Sequence, residues 1–157
     1  MEFDGKRRLE NADPGSVLLL SIVWADRVFL TTATDNGVSG RVLCLDRVTG
    51  SVLWNKEVLQ QTTAGRKEGR DTYATPTPAT VGKLVFTVFF DGSIIALNFA
   101  ADLVWTNRSY PFYSQHGLGT SPILWKGLLI QARDGSNEGD AESTVHALRE
   151  AEPVRRQ

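Results

Sequence analysis

Three stretches of this 157-residue chain follow one template. The first holds SIVWADRVFLTTA (21–33), GRVLCLD (40–46) and RVTGSVLW (47–54). The second holds TPATVGKLVFTVF (77–89), GSIIALN (92–98) and FAADLVW (99–105). The third holds SPILWKGLLIQAR (121–133) and STVHALR (143–149), and then only the polar EAEPVRRQ. The anchors keep step. Cys44, Ala96 and Ala147 hold equivalent places, 52 and 51 residues apart, and Trp54 and Trp105 close the first two units 51 apart. A repeat of this length constrains the fold more than any other feature here. Units this small cannot each bury an apolar face alone, so they must stack on one another.

Within each unit the local reading is β. DRVFLTTA and GKLVFTVFF are rich in Val, Phe, Thr and Leu, which suit a pleated, half-buried surface. Asp91-Gly92 between two apolar runs reads as a hairpin turn in which both residues accept positive φ. Thr49-Gly50 supplies the next turn, before SVLW. No window combines a 3.6-residue apolar period with caps at both ends, so little helix is expected. A unit of about four short antiparallel strands with this period is a propeller blade, and the fold class is all-β.

CLDRVTGSVLW (44–54) resembles the tryptophan-docking signature of the PQQ-like repeat, found in quinoprotein-type β-propellers, whose usual form is A-x-D-x-x-T-G-x-x-x-W. Asp46, Thr49, Gly50 and Trp54 match it, with Cys44 in place of the alanine. The second copy, ALNFAADLVW, matches at Ala96 and Trp105, carries Asn98 for the aspartate, and is one residue shorter. Ala100 and Ala101 stand where that family usually has glycine. Thr77-Pro78 and Ser121-Pro122 resemble the family's blade opener, where the first unit has Ser21-Ile22. Physically, a large aromatic on the last strand can lie against the neighbouring blade, burying on the order of 150–250 Å².

The resemblance implies an incomplete propeller of about three blades, since closed members usually have seven or eight. The expected organisation is a non-repeat leader (1–16), a repeat segment (17–149) with blades at about 17–60, 72–108 and 117–149, and a polar tail (150–157). The partners it implies are other blades, or a protein that completes the propeller. It also implies what a quinone-dependent enzyme would need: a vicinal cysteine pair over the cofactor and a calcium cluster beneath it. The chain has one cysteine. DGSNEGDAES (134–143) is the one acidic loop, and read as a calcium loop from Asp134 it puts Val145 where a bidentate glutamate is required. No catalytic, cofactor-binding or metal-ligating residue is assigned and no cofactor is expected. The favoured reading is a non-catalytic interaction or scaffold module. The rival is a fragment of a PQQ-dependent oxidoreductase, with calcium and PQQ bound by parts not in this chain.

The remaining candidates have plain structural explanations. Cys44, between Leu43 and Leu45, reads as a small buried hydrophobe. His146 lies within a strand. His116, in a loop between blades, is where a ligand contact would fall, and Tyr110–Tyr113 offer an aromatic surface for a glycan or peptide. Asn107-Arg108-Ser109 fits an N-glycosylation sequon, and GRKEGR (65–70) reads as a solvated linker. A formal charge of −1 with interspersed signs argues against a nucleic-acid partner. The apolar run Val17–Val23 reads as a buried strand. It is too short to span a bilayer, and Glu2, Asp4, Glu10 and Asp13 offset the basic residues that a signal peptide would show. Localisation therefore rests on the resemblance, whose members are mostly periplasmic or on the cell surface.

Overall fold

The computed structural model describes residues 20–61, 74, 76–112, 118–134 and 143–150. Among these, eleven strands form three antiparallel sheets, with no α-helix and one 3-10 turn at Asp35–Gly37. The first sheet runs β1 (Ser21–Trp24), β2 (Arg27–Thr34), β3 (Ser39–Asp46), β4 (Val52–Gln60) in simple up-and-down order. The second repeats that order with β5 (Ala79–Thr80), β6 (Leu84–Val88), β7 (Ile94–Asn98) and β8 (Leu103–Asn107). The third comprises β9 (Ile123–Trp125), β10 (Leu128–Arg133) and β11 (Thr144–Arg149). The first strands of consecutive sheets approach each other, β1 with β5 and β5 with β9. These are blades of an incomplete propeller.

Register makes the repeat visible in space. Ile22, Phe29, Cys44 and Trp54 lie in one row across the first sheet. Ala79, Phe86, Ala96 and Trp105 form the same row in the second. Ile123, Ile130 and Ala147 form it in the third. Paired residues of antiparallel strands share a face, so each row points to one side of its sheet. A bulge recurs just before each tryptophan, where the register slips between Cys44 and Leu45 and between Ala96 and Leu97. Such a bulge adds twist and re-aims the side chain beside it.

The core lies between the sheets. Phe29, Cys44 and Val85 pack together between the first and second sheets, with Ile22, Trp54 and Phe99 against them. Val42, Leu59, Phe89, Ile95 and Leu97 extend that interface. Phe86, Val88, Ile94, Ala96 and Trp105 meet Leu118, Leu129 and Leu148 between the second and third. Seven of the twelve largest fully buried side chains come from the second sheet's own strands and the turn between them: Val85, Phe86, Val88, Phe89, Ile94, Ile95 and Leu97. That sheet is covered on both faces, which explains its nearly unbroken apolar runs.

Two expectations need correction in detail. The run ending at Val23 is not a buried strand where it is described: Leu20 and Val23 are exposed, because β1 is the edge of its sheet and the face carrying Val23 meets no neighbouring sheet among the described residues. At Asp91-Gly92 a hairpin does join β6 to β7, but only Gly92 takes positive φ, at 83°. Asp91 acts through its carboxylate, accepting from the Ser93 backbone N–H at 2.9 Å and the Ser93 hydroxyl at 2.7 Å.

Candidate functional site

The residues singled out by the repeat meet at the sheet boundaries. Trp54 lies near the start of β4, on the face that the second sheet covers. Its indole N–H donates to the backbone carbonyl of Phe99, in the turn between β7 and β8, at 3.0 Å. Trp105 on β8 donates in the same way to the carbonyl of Glu150, immediately after β11, at 2.9 Å. Each donor lies 45 residues before its acceptor. Each indole also meets a phenylalanine of its own sheet in the same tilted geometry: Phe29 and Trp54 at 5.9 Å and 46°, Phe86 and Trp105 at 5.9 Å and 45°.

The Phe99 carbonyl lies in the turn that opens at Asn98, and the equivalent turn of the first sheet, at Asp46, shows how the signature polar residues build it. Asp46 accepts from the backbone N–H groups of Val48 (3.0 Å) and Thr49 (2.7 Å) and from the Thr49 hydroxyl (2.9 Å). Those bonds, the Thr49 backbone N–H first among them, hold its carboxyl below the usual aspartate range. Asn98 replaces Asp46 and accepts from the backbone of Ala100 and Asp102, each at 2.9 Å. Gly50 and Ala101 occupy the equivalent turn position, and both have φ of 70°. The shortened turn thus keeps its left-handed residue without the glycine that would relieve it.

Three further contacts between sheets join residues that no motif marked. Arg27 donates to the Phe99 carbonyl at 2.7 Å, so that oxygen takes two donors from the first sheet, and its guanidinium lies 5.8 Å from the Phe99 ring centre. Trp24, at the end of β1, lies against Gly82: a Cβ there would stand 2.5 Å from Cζ2 of the indole. Arg133, buried at the end of β10, reaches back to the second sheet, donating to the carbonyls of Gly92 (2.8 Å) and Tyr110. Burial lowers its pKa, Asp91 opposing the shift. Its Nε is buried without a partner among the described residues.

The remaining candidates fall into place around these. Cys44 is fully buried and its thiol pKa is raised, chiefly by burial. His146 stacks on Tyr110 at 4.1 Å and approaches the Thr144 hydroxyl at 2.9 Å, and burial, with Arg133, lowers its pKa. Tyr110 and Phe112, half of the expected aromatic surface, are thereby drawn into packing, Phe112 being buried. The openers touch as well: the Thr77 backbone N–H donates to the Ser121 hydroxyl at 2.9 Å. Tyr113, His116, the linker 65–70 and residues 135–142 of the acidic loop lie outside the described residues. Among the described residues no cluster of His, Cys, Asp or Glu is placed to hold a metal ion, and no helix is long and apolar enough to cross a membrane.

No family model matches the chain, and no curated protein matches it. Solved structures do. A europium-containing methanol dehydrogenase superposes with a TM-score of 0.59 at 16% identity, covering 83% of this chain and 22% of that one. The quinohemoprotein alcohol dehydrogenase of Comamonas testosteroni superposes with a TM-score of 0.58 at 17% identity, covering 83% of this chain and 19% of that one. The chain therefore spans about a fifth of each, and at this identity the likeness is one of fold: a part of a quinoprotein-like propeller.

Proposed function

We propose that this chain is a non-catalytic module of PQQ-like repeats, a scaffold or protein-interaction segment of a larger propeller whose other blades complete it. The observation that carries this is the paired indole bond, Trp54 to Phe99 and Trp105 to Glu150. It gives the signature residues a docking role between consecutive blades and uses them up in packing. Cys44 points the same way. It is the chain's one cysteine and sits sealed between Phe29 and Val85, so it does not fit the vicinal cysteine pair that a quinone site of this family requires. The partners are other blades or a protein that supplies them, not nucleic acid.

A second reading has a specific observation in its favour: both superposed structures are named as alcohol or methanol dehydrogenases. The chain would then be one part of a PQQ-dependent oxidoreductase, with the cofactor ligands elsewhere. One experiment separates the two. The full chain is recovered together with the protein that supplies its other blades, and that assembly is incubated with PQQ and calcium, then assayed for quinone absorbance retained after desalting and for dye-linked alcohol oxidation. The scaffold reading expects neither. Retained quinone with turnover would overturn it.

A further inference from the structure

Resting on the propeller reading, we propose that the outward face of the third sheet is the seat of a further blade of this repeat, one that carries glycine in its first hairpin turn. The row Ile22–Phe29–Cys44 is covered by the second sheet through Val85, and the row Phe86–Ala96 is covered by the third through Leu129. Val85 and Leu129 hold equivalent places on β6 and β10, each preceding the residue of its own sheet's row, Phe86 or Ile130. The third row, Ile123–Ile130–Ala147, faces the same way and has no sheet on it among the described residues. Ile123 is 63% exposed and Val145, on the same face, 70%, where their second-sheet equivalents Ala79 and Ile94 are buried; Trp125 is 57% exposed. The interface therefore occurs twice among the described residues, and the third sheet presents the equivalent face uncovered by any of them.

Trp125 defines the occupant. It closes β9 as Trp24 closes β1, each paired across its hairpin, with Leu128 and Arg27 respectively. Trp24 is accommodated because the turn facing it carries Gly82, at φ +84°, leaving the space a Cβ would fill. The second sheet has Val81 at the tryptophan position, and the third has Lys126 at the glycine position, so the small residue accompanies the large one. One side of Trp125 is taken by Lys126, whose Nζ lies 4.6 Å from the ring centre. A blade seated on the other side needs an aliphatic residue at the Val85 position and glycine at the Gly82 position. A second copy of this chain docked through its first sheet does not meet that need, because Ala25 stands at the glycine position there.

The test extends the full chain. A duplicate of residues 47–112 is joined directly after Arg149, the equivalent of Asp46, supplying a fourth strand and one more blade with its own copy of Gly82. Iodide quenching of Trp125 is read as the difference between each protein and its Trp125→Phe version. Quenching of Trp125, 57% exposed, is expected to fall toward that of Trp24, which stays 43% exposed beside Gly82, and to recover when the duplicated glycine is changed by Gly82→Val. An extended chain with native-like near-ultraviolet dichroism whose Trp125 stays as quenchable as before overturns the proposal. Should the extension fail to fold, Gly82→Val in the natural chain decides the seat. Trp24, 43% exposed in place, becomes measurably more quenchable while Trp105 stays protected, and an unchanged Trp24 overturns the pairing. Protection of Trp125 that grows with concentration in the unextended chain and is lost with Val28→Asp would put a second copy there instead and also overturn it. None of these readouts involves quinone or calcium, so the outcome is independent of the cofactor experiment.

Discussion

The indole of Trp54 and the guanidinium of Arg27 converge on one oxygen, the backbone carbonyl of Phe99, at 3.0 and 2.7 Å. The equivalent oxygen in the next boundary, that of Glu150, takes the indole of Trp105, and Leu84 stands where Arg27 does. The same device therefore has a second donor at one boundary and an aliphatic residue in its place at the other. This difference has measurable consequences.

Trp105 is buried and Trp54 is half-exposed. Trp105→Ala is expected to destabilise by about 3–5 kcal/mol, and Trp54→Ala by less. Trp105→Phe keeps most of the ring but leaves the Glu150 carbonyl without its indole donor, a loss of about 1–3 kcal/mol. Trp54→Phe should cost less, since Arg27 still serves Phe99. Urea unfolding of the four variants checks the ranking. Equal costs for the two phenylalanine variants would remove the role given to Arg27.

Ala101 holds a left-handed conformation that costs an L-residue about 1–2 kcal/mol. Ala101→Gly should therefore raise stability by about 1 kcal/mol, and Gly50→Ala should lower it by a similar amount. Thermal melting of both reads the opposite signs directly.

Asp46 is held ionised by the Thr49 and Val48 bonds, so its folded pKa lies below the unfolded value near 3.8. A group depressed on folding binds fewer protons in the native state. Its contribution is present above that value and is lost as pH falls through the folded pKa. Stability of the wild type should drop more steeply below about pH 4 than that of Asp46→Asn, which copies the natural Asn98 turn. Parallel curves over that range would remove the linkage.

Arg133 clips the Gly92 turn and Tyr110 to the third sheet. Arg133→Met leaves both carbonyls without it and should cost about 2–3 kcal/mol. It should also raise the pKa of His146, which burial and Arg133 together depress. Because the His146 pKa is lowered on folding, its neutral form contributes stability above the unfolded value of 6.5 that is lost as pH falls through the folded one. An NMR titration of His146 in both proteins measures the shift. No upward movement in the variant would contradict the placement of Arg133 beside the ring.

The sequence by itself determined the blade. A period of 51 or 52 residues, β-rich runs and turn residues at fixed offsets are local properties, so the all-β class and the strand order within a sheet were legible. The small residue at 44, 96 and 147 and the tryptophans at 54 and 105 were legible as packing positions for the same reason. Only the tertiary structure decided what those positions touch. Arg27 meets a carbonyl 72 residues away, and Arg133 meets one 41 residues back. Trp24 meets Gly82 through the absence of a side chain, which leaves no pattern to read. A repeat specifies its own fold through neighbours in the chain. Contacts between blades depend on which faces the stacking brings together, and a buried arginine or a bare glycine has no meaning there until its partner is in place.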